Sequence, residues 1–196
     1  MTQYGKDIAL IVVDVQNDFA DSKGSLYVSG GESLIPEMNR EIDKAVEAGA
    51  TIVYSRDSHP DSTPHFQAFG GVWPVHCVGG TRGAEFHPDL RVADGALQIL
   101  KGTGGEDGYS AFSLRDPTSG DTSRTELAGL LLEHDIQRVV IIGLATDYCV
   151  KENALDAIEL GFEVTVMRSG IGAVDLQPGD GERALAAIEA AGGHVE

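Results

Sequence analysis

Five short runs rich in β-branched residues recur along the chain, each bounded by turn residues: IALIVVDV (8–15), ATIVYSR (50–56), ALQILK (96–101), RVVIIGL (138–144) and EVTVM (163–167). A weaker sixth stands at HVE, at the end of the sequence. The apolar character of these runs is nearly continuous. A strand with one wet face alternates, whereas one covered on both faces does not, so the runs predict a parallel sheet buried between layers. Helical patterns lie between most of them. Residues 33–49 put Ile35, Met38, Ile42 and Val46 on one face and stop at a glycine. Residues 123–135 open with capping-box spacing, Ser123 then Glu126. Residues 149–161 stop at Gly161, and 181–193 close on two glycines. Alternation of this kind predicts right-handed βαβ units in a three-layer α/β fold, with a mostly parallel sheet of five to six strands and helices on both faces.

Length and charge narrow the function. At 196 residues, with 42% hydrophobic and 23% charged, the chain is read as one domain, 1–196, large enough for a full core without staples. A net charge of −17 repels phosphate backbones, which argues against nucleic acid. Two cysteines do not make a disulfide scaffold, so a reducing cytoplasm is the expected setting. The first apolar run is too short to span a membrane and lacks the order of a signal peptide, so no membrane association is expected. The oligomeric state is left open, a homo-oligomer included.

Two long connections break the alternation, one from Asp57 to about Gly95 and one from Gly102 to Thr122. Both follow the C-terminal ends of strands, where open parallel sheets bind ligands. Asp14 ends the first strand, Lys101 ends the third and Cys149 follows the fourth, at the start of a helical pattern. Each has an ordinary reading: a turn aspartate, a solvated edge lysine, a small buried thiol. Together at one sheet edge they make an activated nucleophile. The helix dipole and the lysine favour the thiolate, and the carboxylate carries the proton. Asp147 competes for the base role and is read as a helix N-cap.

RDSHPDSTPHF (56–66) is the second constellation. Asp57, His59 and His65 are one carboxylate and two imidazoles within nine residues, a divalent-metal ligand set that leaves positions open. GVWPVHC (71–77) adds His76, either a fourth ligand or a loop histidine, and Cys77, read as structural. The glycine-rich KGTGGEDGYSAF (101–112) is no phosphate loop: no Gly-Lys-Ser/Thr follows, no helix opens after it, and Glu106 and Asp107 would repel phosphate.

VVDVQNDF, the DSHP…HF segment, WPVHC, KG after a strand and GLATDYCV before a helix occur in one order from about Ile8 to Val166. Together they resemble the nicotinamidase/pyrazinamidase branch of the isochorismatase-like cysteine hydrolases. The resemblance implies a Rossmann-like fold and a triad in which Cys149 is the nucleophile, Asp14 the proton carrier and Lys101 the assisting cation. It implies one divalent metal ion (zinc, iron or manganese) held at Asp57, His59 and His65, often with His76. It also implies a cis peptide between Leu144 and Ala145, an oxyanion hole from the amides of Ala145 and Cys149, and aromatic pocket walls at Phe19, Trp73 and Tyr109. The implied substrate is a small aromatic amide, hydrolysed through a thioester. The alternatives are a related cysteine hydrolase acting on another amide or carbamoyl compound, a mononuclear iron oxygenase, for which strand–helix alternation is the wrong frame, and a non-catalytic binding protein.

Overall fold

The computed structural model describes residues 3–196. The described residues form eight strands: β1 (Ile8–Val13), β2 (Thr51–Asp57), β3 (Leu97–Lys101), β4 (Ser113–Arg115), β5 (Thr122–Arg124), β6 (Arg138–Leu144), β7 (Glu163–Gly172) and β8 (His194–Val195). Six of them form one sheet in the order β3-β2-β1-β6-β7-β8, and every pairing in it is parallel. The helices are α1 (Asn17–Ala20), α2 (Gly31–Glu47), α3 (Leu127–Glu133), α4 (Lys151–Glu159) and α5 (Asp180–Ala190).

β1 shows why the strand runs lack alternation. All six of its residues are buried. Ile8, Leu10 and Val12 pack on one face against Ile35, Met38, Ile42 and Ala45 of α2. Ala9, Ile11 and Val13 pack on the other, where Leu131 of α3, Ala154 of α4 and Ile188 of α5 meet them. Two cores thus share one strand, as a three-layer fold requires.

The chain runs outward from β1 through β2 to β3, then returns to lay β6 against the other side of β1. The reversal leaves a crevice at the C-terminal ends of β1 and β6, the place where open parallel sheets accept ligands. Gly143 permits the close approach of these two strands. Its φ is +120°, and a Cβ there would stand 2.1 Å from the Val13 carbonyl oxygen.

Three local expectations are corrected. Thr122–Arg124 does not begin a helix: it pairs antiparallel with β4, so Ser123 caps nothing. α3 starts at Leu127, after an N-cap at Glu126, and the Leu127 N–H donates to the Thr125 hydroxyl (3.2 Å). β7 runs on to Gly172 past the polar Arg168-Ser169, with a pairing irregularity opposite Ile141–Gly143 that hides the extension from sequence periodicity. On α2, Ala45 rather than Val46 takes the inward slot, and Val46 is exposed. Among the described residues, no helix is long and apolar enough to cross a membrane.

Candidate active site

Asp14 turns off β1 with φ +50°, a left-handed conformation that aspartate tolerates better than most residues. The parallel register sets Asp57 opposite Lys101 at the ends of β2 and β3. Lys101 is fully buried, and its Nζ lies 2.6 Å from Asp14 Oδ2 and 2.9 Å from Asp57 Oδ1, while also donating to the Gly108 carbonyl. Ser55 Oγ donates to Asp14 Oδ1 at 2.7 Å. Cys149 is the fourth residue of a π-helical turn, Thr146–Val150, that feeds α4. Its sulfur and the carboxylate oxygens of Asp14 and Asp57 lie within 4.8 Å of one another.

Two buried carboxylates share one ammonium, and that sets the proton inventory. Burial lifts Asp14, Lys101 pulls it back, and the balance leaves it at about 6. Burial also acts on Asp57, but Lys101 and His59 outweigh it and hold that carboxyl below the usual range. For Lys101 the two carboxylates overcome burial and keep it firmly charged. Cys149 departs from expectation. Burial pushes its thiol well above the ordinary value, Lys101 offsets only part of this, and Asp14 and Asp57 add to it. The environment therefore favours the thiol over a preformed thiolate, with Asp14 close enough to take its proton. Asp147 is not an N-cap: its two carboxylate oxygens accept the N–H groups of Val174 and Asp175 at 2.9 Å each, tying the loop after β7 to the nucleophile turn.

Long-range backbone bonds assemble the histidines. His59 N–H donates to the Cys77 carbonyl and Gly79 N–H to the His59 carbonyl (2.9 Å each), which brings the segment carrying His76 alongside. His59, His65 and His76 each offer a ring nitrogen within 4.8 Å of the others, and all three are buried. Both nitrogens of His59 lack a hydrogen-bond partner. His76 Nδ1 is 2.7 Å from the Pro74 carbonyl oxygen, and His65 Nδ1 is 2.6 Å from Asp107 Oδ1, which leaves Nε2 of each ring free. A buried, unpartnered imidazole is costly unless something satisfies it, so the donor set fits a divalent metal. Gly102 makes room for it: a Cβ there would lie 2.5 Å from the His59 ring. Asp57 Oδ2 stands 3.8 Å from His59 Nε2, at the junction of the histidine cluster and the Asp14–Lys101–Cys149 group.

A narrow pocket joins the two groups. Cys149 and Ala145, the aromatic residues Phe19, Trp73 and Tyr109, and the histidines His65 and His76 all line it. Trp73 Nε1 donates to the Tyr109 hydroxyl at 2.8 Å, linking two of these residues from different loops. The Ala145 carbonyl accepts the N–H groups of Tyr148 and Val150 (3.1 Å each), which fixes the turn that presents Cys149. The Leu144–Ala145 peptide is cis.

An isochorismatase domain matches residues 8–196. The chain belongs to the isochorismatase family. Within the family it is 37% identical over 200 residues to the nicotinamidase of Escherichia coli, an alignment covering 94% of this chain and 92% of that one. Its fold superposes on a pyrazinamidase of Pyrococcus horikoshii in complex with zinc with a TM-score of 0.86 at 40% identity, covering 97% of this chain and 98% of that one. PnC1 from L. infantum in complex with nicotinate superposes with a TM-score of 0.88 at 34% identity, covering 100% of this chain and 95% of that one.

Phe19, Asp57, His65, Trp73, His76, Tyr109, Ala145 and Cys149 of this isochorismatase-family chain line one pocket, and Asp14, Lys101 and His59 stand behind it around Asp57. Four further residues surround it without having stood out in the sequence. Tyr148 lines the pocket and meets Trp73 edge-on at 4.8 Å; its place directly before Cys149 was the available signal. Gln16 brackets Asp57, accepting its N–H and donating to its carbonyl (2.8 Å each). Asn153, one turn beyond Cys149, donates to the Cys149 carbonyl (2.8 Å) and accepts the Ala111 N–H (3.0 Å). Ser55 carried no signal, since a strand serine is unremarkable until its partner across the sheet is known.

Proposed function

We propose that the chain is a nicotinamidase, a metal-containing cysteine amidohydrolase that converts nicotinamide to nicotinate and ammonia and also accepts pyrazinamide. The observation that carries this reading is the pocket: aromatic side chains and a buried thiol line it together with His65 and His76, and His59 completes the histidine cluster behind them. Asp14 accepts the Cys149 proton as sulfur attacks the amide carbon, and the N–H groups of Ala145 and Cys149 hold the oxyanion. Asp14 then protonates the departing ammonia as the C–N bond breaks, leaving a thioester. Water, deprotonated by Asp14, adds to the thioester; the C–S bond breaks, Asp14 returns its proton to sulfur, and the acid formed releases its remaining proton to solvent as nicotinate. Lys101 keeps Asp14 ionised near neutrality.

Asp57, His59, His65 and His76 are the residues that would hold the metal. Zinc, iron and manganese all suit the site, and the bound ion would supply a Lewis acid for the ring nitrogen of the substrate or for water. A carbamoyl substrate bearing a carboxylate is the second reading. It is disfavoured because, among the described residues lining the pocket, none is a lysine or arginine. Both cysteines are free and buried, in keeping with a cytoplasmic enzyme.

The test is kcat/KM by ammonia release on nicotinamide and benzamide, which have the same shape but only one ring nitrogen between them. Nicotinamide is expected to be preferred by a factor on the order of 10²–10⁴, as at sites built to pair a polar group. Equal rates would remove the ring-nitrogen anchor. No turnover of either amide would remove the activity.

A further inference from the structure

The glycine-rich loop carries one residue that the proposed reaction does not use. Asp107 Oδ1 lies 2.6 Å from His65 Nδ1, and its side chain is only 12% exposed. Its backbone is held as well: the Asp107 N–H donates to the Arg115 carbonyl at 2.8 Å. The same two loops are tied again by Thr63, whose hydroxyl donates to the Gly105 carbonyl (2.7 Å) and accepts the His65 N–H (3.2 Å). The carboxylate therefore meets the ring from a fixed place.

A carboxylate on Nδ1 makes that nitrogen the protonated one and leaves the Nε2 lone pair for a ligand. It also raises the donor strength of Nε2 and stops the ring from rotating. The three rings are not alike in this respect. His76 is oriented by a neutral carbonyl, and neither nitrogen of His59 has a hydrogen-bond partner. Two residues along the loop, Tyr109 accepts the Trp73 N–H, and between them the Gly108 carbonyl accepts from Lys101. Three consecutive residues thus touch the histidine cluster, the triad and the pocket wall.

We propose that Asp107 is a positioning residue of the metal site, which fixes His65 in the Nδ1–H tautomer and thereby sets metal affinity. The proposal rests on the metal-site reading above. Its test is zinc affinity by competition with a chromophoric chelator in the full-length protein, with circular dichroism as the check on folding. Asp107→Ala is expected to bind zinc about 10–100-fold more weakly than the unaltered chain. Asp107→Asn, which retains an acceptor but not the charge, is expected to fall between them. Glu106→Gln, altered one residue away on the same loop, is expected to match the unaltered chain. Long-range proton–nitrogen correlation spectra of the metal-free protein at mildly alkaline pH read the tautomer directly. His65 is expected as Nδ1–H in the unaltered chain and as a tautomer mixture in Asp107→Asn. Unchanged zinc affinity and an unchanged His65 tautomer in a folded Asp107→Asn would overturn the inference. Absence of zinc binding by the unaltered chain would instead overturn the metal site itself, and this inference with it.

Discussion

The triad and the histidine cluster adjoin, yet they are held in different ways. Asp14, Asp57 and Lys101 sit on or directly after strands whose parallel pairing fixes the backbone residue by residue. Their side chains form a buried ionic group with no solvent to relax into. His65 and His76 sit on a long connection held by a few backbone bonds, and neither ring nitrogen of His59 has a hydrogen-bond partner. The first region is part of the core, so damage to its ionic group should cost folding as well as chemistry, whereas loss of the Cys149 sulfur alone should cost chemistry. The second is an attachment, so damage to it should cost metal and rate while the fold survives.

The largest effect tests the region built on the sheet. Cys149→Ala is expected to lower turnover by a factor on the order of 10⁴ or more with an unchanged circular dichroism spectrum. Cys77→Ala, at a residue that does not line the pocket, is expected to keep most of the activity. Substantial activity in Cys149→Ala would end the mechanism. Next, Lys101→Met leaves two carboxylates buried without their cation. It is expected to cost about 3–5 kcal/mol by urea denaturation in addition to activity. Stability close to that of the unaltered chain would show that the triad is no more built into the core than the loops are.

His59→Ala is the matching change in the loop region. It is expected to lose most of the bound metal and to shrink the nicotinamide-over-benzamide preference. Relative to the metal-free unaltered chain, its Tm should move by no more than a few degrees, since the imidazole removed has no hydrogen-bond partner there. A collapse of the metal-free fold would break the comparison between the two regions.

The smallest expected effect is a pH shift. With Asp14 at about 6 and active as the carboxylate, kcat/KM should fall as pH drops through 6 and level off above neutrality. Ser55→Ala removes a hydrogen bond to the carboxylate form. Asp14 should rise, and the acid limb should move to higher pH by less than about one unit. A limb that stays in place would mean that Ser55 does not tune the base.

Much of the frame is legible in the sequence because it rests on periodicity. Short continuous apolar runs rich in β-branched residues, such as Ile8–Val13, read as strands buried on both faces, and their spacing places Asp14, Lys101 and Cys149 at one edge. Where two local signals competed, periodicity failed. Ser123 offered a capping box, but pairing with β4 claimed the backbone of Thr122–Arg124. Asp147 had the position of an N-cap, but two backbone donors nearly thirty residues away claimed its carboxylate.

The sequence by itself determined the class of sheet, the edge at which chemistry gathers and the residue types that gather there, because these follow from local pattern and chain order. Only the tertiary structure decided the charge state of the thiol, because that is a balance of burial against Lys101, Asp14 and Asp57, three residues distant in the chain. It alone drew His76 in beside His59 and His65, and gave His65 its partner Asp107, because both contacts depend on long loops closing over one another. Loop closure is set by the summed packing of the whole molecule and leaves no periodic trace in the chain.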